Sequence, residues 1–489
     1  MRAPILFSTL LVCSLAQPTP AELQLLEAIR ANTLQAHVSF LASDTLEGRD
    51  TPSRGINLAE EYIATQYRRL GLEPLGDGGS YFQVATFLKI TQPMDGFRIR
   101  IEVPGGATWE PAANKVMPIT SAAAQASKLE VIKITLQGDA PTLPPKESVR
   151  GKAVLLLFSQ LTPTTAALRR ELLAMEPAVV VTPGFIANQS YRLRDASAPP
   201  PPAPMIVTSD SEFTRLASSL PDGSTPAILS INVAAPLEEQ VTLRNTIARL
   251  PGSDPALQNQ HILITAHHDH LGISPRGEGD RINNGANDDA SGVATVLTLA
   301  EALSSAKDRP KRPIVFMTYF GEEKGLLGSK YYAAHPIVPF KDTAANLNFE
   351  QMGRTDDSEG TRAGKLSATG FGYTTIGETL IAAGNATGVE ASPHPKNSDA
   401  FFSRSDNQAL ADAGVPAITI CVAWVFPDYH RPGDHWQKID YANMQKVVRT
   451  SGLAVWRIAN APEPPKWVDK LSANEKYRKA YQSLHATTN

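Results

Sequence analysis

Disulfide bonds can be set aside first. The chain has 2 cysteines in 489 residues, and one of them, Cys13, sits in an N-terminal stretch that reads as removable. Cys421 would then stand alone, so no intramolecular disulfide is expected. It lies within VPAITICVAW, where a small buried hydrophobe is the ordinary reading. An excess of one charge is also missing. Lys and Arg number 46 against 49 Asp and Glu, a net charge of −3. That gives no basic face for nucleic acid, and no nucleic-acid partner is expected. Long apolar runs are absent too. The run Ile5–Cys13 is far below the ~18 residues a membrane helix needs, and no later stretch could span a bilayer, so no membrane anchor is expected. Arg2 before that run and Ser14-Leu15-Ala16 after it have the order of a secretory signal peptide, with cleavage expected after Ala16. A secreted or periplasmic location follows.

What is present is enough chain for two or three domains, since one core rarely exceeds ~250–300 residues. Residues 17–111 begin with helical spacing at Ala21 to His37 and Asn57 to Leu70, separated by the turn-rich SDTLEGRDTPSRG, and continue into the strand patterns SYFQVATFLKI and FRIRIEV. The texture changes near Ala112. Residues 112–236 carry short β-like runs (LEVIKITL, GKAVLLLF, AVVVTP, PMIVTS) broken by proline, and contain no histidine. They read as a small β-rich domain inserted into the first. Residues 237–489 alternate strand and helix: HILITAHH, SGVATVLTLAEALSSA, RPIVFMTYF, GLLGSKYYAAH, AANLNFEQMG, GYTTIGETLIAAGNATG, VPAITICVAW and YANMQKVVRTSGLAVWRIAN. That order predicts an α/β fold with helices on both faces of the sheet.

The chemistry-bearing residues gather where apolar runs stop. After Ile262-Leu263-Ile264 comes His267-His268-Asp269. In an extended chain residues i and i+2 share a face, so His267 and Asp269 can share a site while His268 points away. Asp269 could orient the imidazole or bind a metal itself. Asp288 and Asp289 precede a helix, where N-capping is the common role, yet Gly285 and Gly292 permit the close backbone approach of a metal-site loop. Glu322 and Glu323 follow a buried strand. Two adjacent carboxylates there repel unless a cation or proton separates their roles; one can bind metal while the other serves as base. Glu350 ends another strand, and Asp428-Tyr429-His430 follows a further one. Taken together, His, Asp, Glu, Glu and His supply five candidate ligands, and two zinc ions ~3.5–4 Å apart with a bridging carboxylate form a known hydrolytic device.

These segments (AHHDHLG, GANDDASG, GEEKGLLGS, NLNFEQMG and DYHRPGDHW) resemble, in order and spacing, the motifs of the M28 family of zinc peptidases. The stretches LASDTLEGRDTPSRG and LGLEPLGDGGSYFQ look like those of bacterial secreted members, and VRGKAVLLL in the insert resembles a protease-associated (PA) domain. The resemblance implies an α/β/α sandwich with a mixed, mostly parallel central sheet of the zinc-exopeptidase type, plus a PA-like insert. It implies two Zn2+ per chain: His267, Asp288 and Glu350 on one, with Asp288 bridging to a second completed by Glu323 and His430. Glu322 would be the general base and acid, Asp269 would orient His267, and Tyr429 would help stabilise an oxyanion. A non-proline cis peptide at Asp288–Asp289 is implied as well. The family usually has Asp where this chain has Glu350, and often His where it has Asn407. The implied activity is an aminopeptidase on peptide substrates. A carboxypeptidase or dipeptidase of the glutamate carboxypeptidase type, a glutaminyl cyclase and a non-catalytic receptor-like protein remain open. For the carboxypeptidase reading a cationic pocket is required, for which Arg354, Arg404 and Arg431 are at hand.

Overall fold

The computed structural model describes residues 17–138, 140–160, 162–186, 190–275 and 277–486. The expected signal peptide, residues 1–16, lies outside them. The chain falls into two compact units, one made of residues up to Ala85 together with Leu243 onward, the other of Thr86–Thr242.

The first unit is built on a sheet whose strands we number β1 (Phe82–Thr91), β2 (Leu237–Leu250), β3 (His261–His267), β4 (Ile314–Tyr319), β5 (Thr343–Phe349), β6 (Lys365–Ala368), β7 (Glu390–Ala391) and β8 (Ala417–Cys421). Their spatial order is β7-β6-β8-β5-β3-β4-β2-β1. The middle is parallel, with β3 between β4 and β5, and β5 beside β8; β2 on β4 and β6 on β8 are antiparallel. The chain leaves this unit within β1 and returns within β2.

The reason for parallel strands here is legible in their side chains. ILITAH and IVFMTY are buried throughout, as strands covered on both faces must be. Alternate residues feed two different cores. Ile262, Ile264, Ile314 and Phe316 join helices Ala31–Leu41, Ser291–Ser304 and Tyr441–Asn460 on one side. Leu263, Val315 and Met317 join Tyr332, Leu410 and Tyr477 from shorter helices on the other. The result is three layers, helix–sheet–helix, as the alternation of segments predicts. Because the central strands are parallel, His267, Tyr319 and Phe349 end at one edge. His267 lies in register with Tyr319, Thr265 with Asn348 and Phe349 with Ile420.

The second unit is wider than the 112–236 that sequence texture suggests. Its eight-stranded sheet takes in Arg98–Glu102, which pairs antiparallel with Gly223–Val233. Within it Ala124–Leu136, Ala153–Phe158, Val179–Pro183 and Met205–Thr208 run parallel. It also has helices, Pro163–Ala174 and Ser211–Ser219, that the reading of this part as β-rich did not foresee.

Candidate active site

All eight residues singled out from sequence come to one place at the carboxyl edge of the sheet. β3 ends on His267, which is buried, with Nε2 at 3.2 Å from Asp288 Oδ1. Its Nδ1 faces Asp269 Oδ1 at 3.5 Å, the carboxylate behind the imidazole that the i, i+2 argument anticipates. Asp269 Oδ1 also accepts the backbone N–H of Glu322 at 3.0 Å. One buried carboxylate therefore lies behind the candidate ligand and anchors the backbone of the candidate base. His268 points elsewhere, as expected, with Nδ1 at 2.8 Å from Thr318 Oγ1.

Asp288 lies in the tight segment Ala286–Ala290 before helix Ser291–Ser304. Gly285 enters it at φ 60. A Cβ there would meet Asp288 O at 2.2 Å and the His270 ring at 2.6 Å, so only glycine fits. The Asp288–Asp289 peptide is cis, as the family resemblance implies. The two acids divide the readings left open between them. Asp289 takes the capping role, Oδ1 accepting from Gly292 N at 2.9 Å and Gln351 N at 3.2 Å. Asp288 turns into the site, Oδ1 toward His267 and Oδ2 at 3.2 Å from His430 Nε2.

After β4, Glu323 stands with Oε2 at 3.3 Å from His430 Nε2 and Oε1 at 2.8 Å from His270 Nδ1. After β5, Glu350 lines the same cavity as His267, Asp288, Glu322, Tyr429 and His430. Its Oε1 accepts from Ser405 Oγ and from Asn348 Nδ2 at 3.2 Å. Tyr429 stacks on His430 with ring centroids 3.9 Å apart.

Several contributors escape a sequence reading. His270 comes within 4.8 Å, donor atom to donor atom, of both Asp288 and Glu323. Strand alternation would place it on the far face from His267, but the strand has ended and Asp269-His270 turn back. Its only sequence signal is its place in AHHDH. Asp434 Oδ2 accepts from the N–H of Asn287 at 2.9 Å and of Asp288 at 3.1 Å. Arg49, from SDTLEGRDTPSRG, is fully buried. It donates to the carbonyls of His268 at 2.9 Å, Asn284 at 2.8 Å, Gly285 at 3.0 Å and Leu41. It thus ties the N-terminal segment to the loops carrying His267 and Asp288. Burial pulls its pKa down to about 10, against the pull of Asp269, Asp289 and Asp288, so it stays cationic at neutral pH.

The electrostatics separate the acids. Burial holds the Glu322 carboxyl well above the ordinary range; His267 opposes this, and Glu350, Glu323 and Asp406 reinforce it. Burial acts upward on Asp288 as well, but hydrogen bonds from His267 and His430 outweigh it and hold Asp288 well below its ordinary value. Burial would lower His430, yet Asp288 and Glu323 draw it up to about 10. Carboxyls pushed apart in this way mark the division between an acid–base group and a permanent anion.

The donor set fits zinc. Two ligand atoms on one tetrahedral zinc, each at ~2.0–2.1 Å, stand about 3.3 Å apart. The contacts of His267 and His430 with Asp288, and of His430 with Glu323, are 3.2, 3.2 and 3.3 Å. Imidazole and carboxylate are the ligands zinc takes in hydrolytic sites.

Residues 245–455 match the sequence model of peptidase family M28. That stretch is similar to the peptidase domain of family M28. Every ligand candidate lies within it. A probable zinc metalloprotease of Pyrenophora teres f. teres is 27% identical over 277 residues, 48% of this chain and 55% of that protein. Aminopeptidase YwaD of Bacillus subtilis is 26% identical over 218 residues, 43% of each chain. The chain thus spans about half the length of the curated relatives it matches. Among solved structures, an aminopeptidase from Aneurinibacillus sp. strain AM-1 superposes with a TM-score of 0.63 at 23% identity, covering 91% of this chain and 97% of that one. BSAP, a zinc aminopeptidase from Bacillus subtilis, gives 0.51 at 18%, covering 92% and 99%. These two share the fold of this chain. Among the described residues no helix is long and apolar enough to cross a membrane.

Proposed function

We propose that this chain is an exported aminopeptidase that removes N-terminal residues from peptides at a centre of two zinc ions. The observation that carries the reading is Asp288, whose two oxygens face His267 on one side and His430 on the other, the disposition a bridging carboxylate needs. His267 and Glu350 would complete one site, Glu323 and His430 the other, with Asp288 shared. Bound there, zinc supplies Lewis-acid polarisation of the scissile carbonyl and a water of lowered pKa.

The remaining work falls to side chains. Asp269 holds the His267 imidazole in one orientation through Nδ1 and fixes the Glu322 backbone. The Glu322 side chain has no strong hydrogen-bond partner among the described residues, and its raised pKa suits a group that takes a proton from water and returns it to the leaving amine. Burial pushes the Tyr429 hydroxyl well up, and Asp288, Glu323 and Glu322 push the same way. The phenol therefore stays a neutral O–H donor, able to hydrogen-bond the oxygen on which negative charge develops. The export reading rests on the signal-like residues 1–16, and the unit Thr86–Thr242 is read as a PA-like insert.

Glu322→Gln tests the assignment. Activity on leucine p-nitroanilide should fall about 10²–10⁴-fold, while bound zinc, measured by plasma mass spectrometry, stays at two per chain. Full activity in that variant would overturn the mechanism.

A further inference from the structure

The cavity beside the candidate ligands has a feature that zinc chemistry does not use. Its volume is about 180 Å3, comparable to about six waters at ~30 Å3 each and hence to one amino-acid side chain. Phe401, Trp424, Val425 and Cys421 form an apolar part of the wall, and Arg404 stands in the same wall. A turn closed by the Arg404 N–H on the Phe401 carbonyl, 3.0 Å, brings the two residues together. The guanidinium lies over the Phe401 ring at 4.7 Å from its centroid, a contact that orients it.

The chain offers three arginines near the motif segments, and their surroundings differ. Arg354 is buried and committed, to Asp356 at 2.8 Å and Asp428 at 2.9 Å. Arg431, exposed like Arg404, is absent from the cavity wall. For Arg404 no carboxylate lies within ion-pair distance among the described residues. Trp424, in the same wall, has its indole Nε1 buried without an acceptor. An unpaired guanidinium and an unpaired N–H donor on an apolar wall are the complement of a side chain or short peptide that is apolar along its length and ends in oxygen. Guanidinium recognises carboxylate in preference to the isosteric amide, because its charge and planar fork both match it.

We propose that Arg404 binds a substrate carboxylate and makes carboxylate-bearing substrates the preferred class. This rests on the peptidase reading of the site. The carboxylate has two possible sources, the side chain of an acidic N-terminal residue or the free C-terminus of a short peptide.

Binding separates the two sources without depending on turnover. With zinc-loaded Glu322→Gln protein, calorimetric titration compares glutamate with glutamine, and Leu-Leu with Leu-Leu amide. At least one acid should bind about tenfold or more tightly than its amide, a margin of about 1.4 kcal/mol, and the pair that shows it names the source. Adding Arg404→Gln should bring that ratio to near unity, and Arg404→Lys should restore part of it, with zinc content equal in all three proteins. Ratios near one for both pairs before Arg404 is changed, or ratios that Arg404→Gln leaves in place, overturn the proposal. Selectivity that is kept in a wild-type protein unable to cleave any free-amine substrate would overturn the aminopeptidase reading and leave the role of Arg404 standing.

Discussion

Glu350 is one methylene longer than the Asp that the family resemblance implies at this position, and its carboxylate has partners of its own. Oε1 is drawn back to Ser405 and Asn348. These belong to a buried lattice in which Asn348 Nδ2 also reaches Ser405 Oγ at 2.9 Å and Thr419 Oγ1 at 3.1 Å, and Thr419 Oγ1 donates to Asn407 Oδ1 at 2.8 Å. Asn407, where the resemblance implies His, joins the same hydrogen-bonded lattice through Thr419. Glu350→Asp should weaken zinc at one of two sites by about 10–100-fold, read by competition with a chromogenic chelator. A second titrating residue works through stability. Burial depresses His37 to about 4, Arg69 lowering it further and Glu301 opposing; its Nδ1 meets Tyr62 Oη at 2.9 Å. The unfolded chain takes up a proton near pH 6.5 that the folded chain refuses until about 4. Stability is therefore complete above pH 6.5 and is lost as pH falls toward 4, by about 1.4 kcal/mol per pH unit at most. Urea unfolding at pH 7 and pH 5 should show the loss in the wild type and a shallower one in His37→Leu.

At the scale of elements, what was legible in the sequence is what repeats. β3, β4, β5 and β8 announce themselves as apolar runs, and each is followed by a polar residue that reaches the site. Helix Ser291–Ser304 and helix Tyr441–Asn460 carry the spacing expected of them. What did not repeat was not legible. His270 and Asp434 act from turns, where no period says which way a side chain points. The strand Arg98–Glu102 alternates equally well for either sheet, so its pattern could not say to which unit it belongs. Helix Pro163–Ala174 did leave a signal: Thr162 caps it through Thr165 N, with proline at its start. A similar cap supports a prediction. Asp440 accepts from Asn443 N at 2.9 Å and opens the 20-residue helix Tyr441–Asn460, which is buried along most of its length. Asp440→Ala should cost about 1 kcal/mol, seen as a lower urea midpoint with unchanged slope.

Across the whole molecule, stability should divide as the chain does. Every candidate ligand lies in the unit formed by the two ends of the chain, and none in Thr86–Thr242. A ligand that binds only the folded form stabilises it by about 2.7 kcal/mol at a hundredfold excess over Kd. Calorimetry should therefore show one transition that falls by several degrees on chelation and returns with zinc, and another that ignores both. A single transition moving as one would show the units to unfold together.

Arg49 sets the order of events during synthesis. The 157 residues of Thr86–Thr242 separate its segment from the carbonyls it must satisfy, those of His268, Asn284 and Gly285. At about 5–20 residues per second the first 85 residues wait roughly ten to forty seconds for their partners to be made. The insert can be finished in that interval, whereas the loops carrying the candidate ligands close only on a nearly complete chain. Zinc capture by a nascent chain would accordingly report completion, and a ribosome stalled inside the insert would hold a product with no place for the ion.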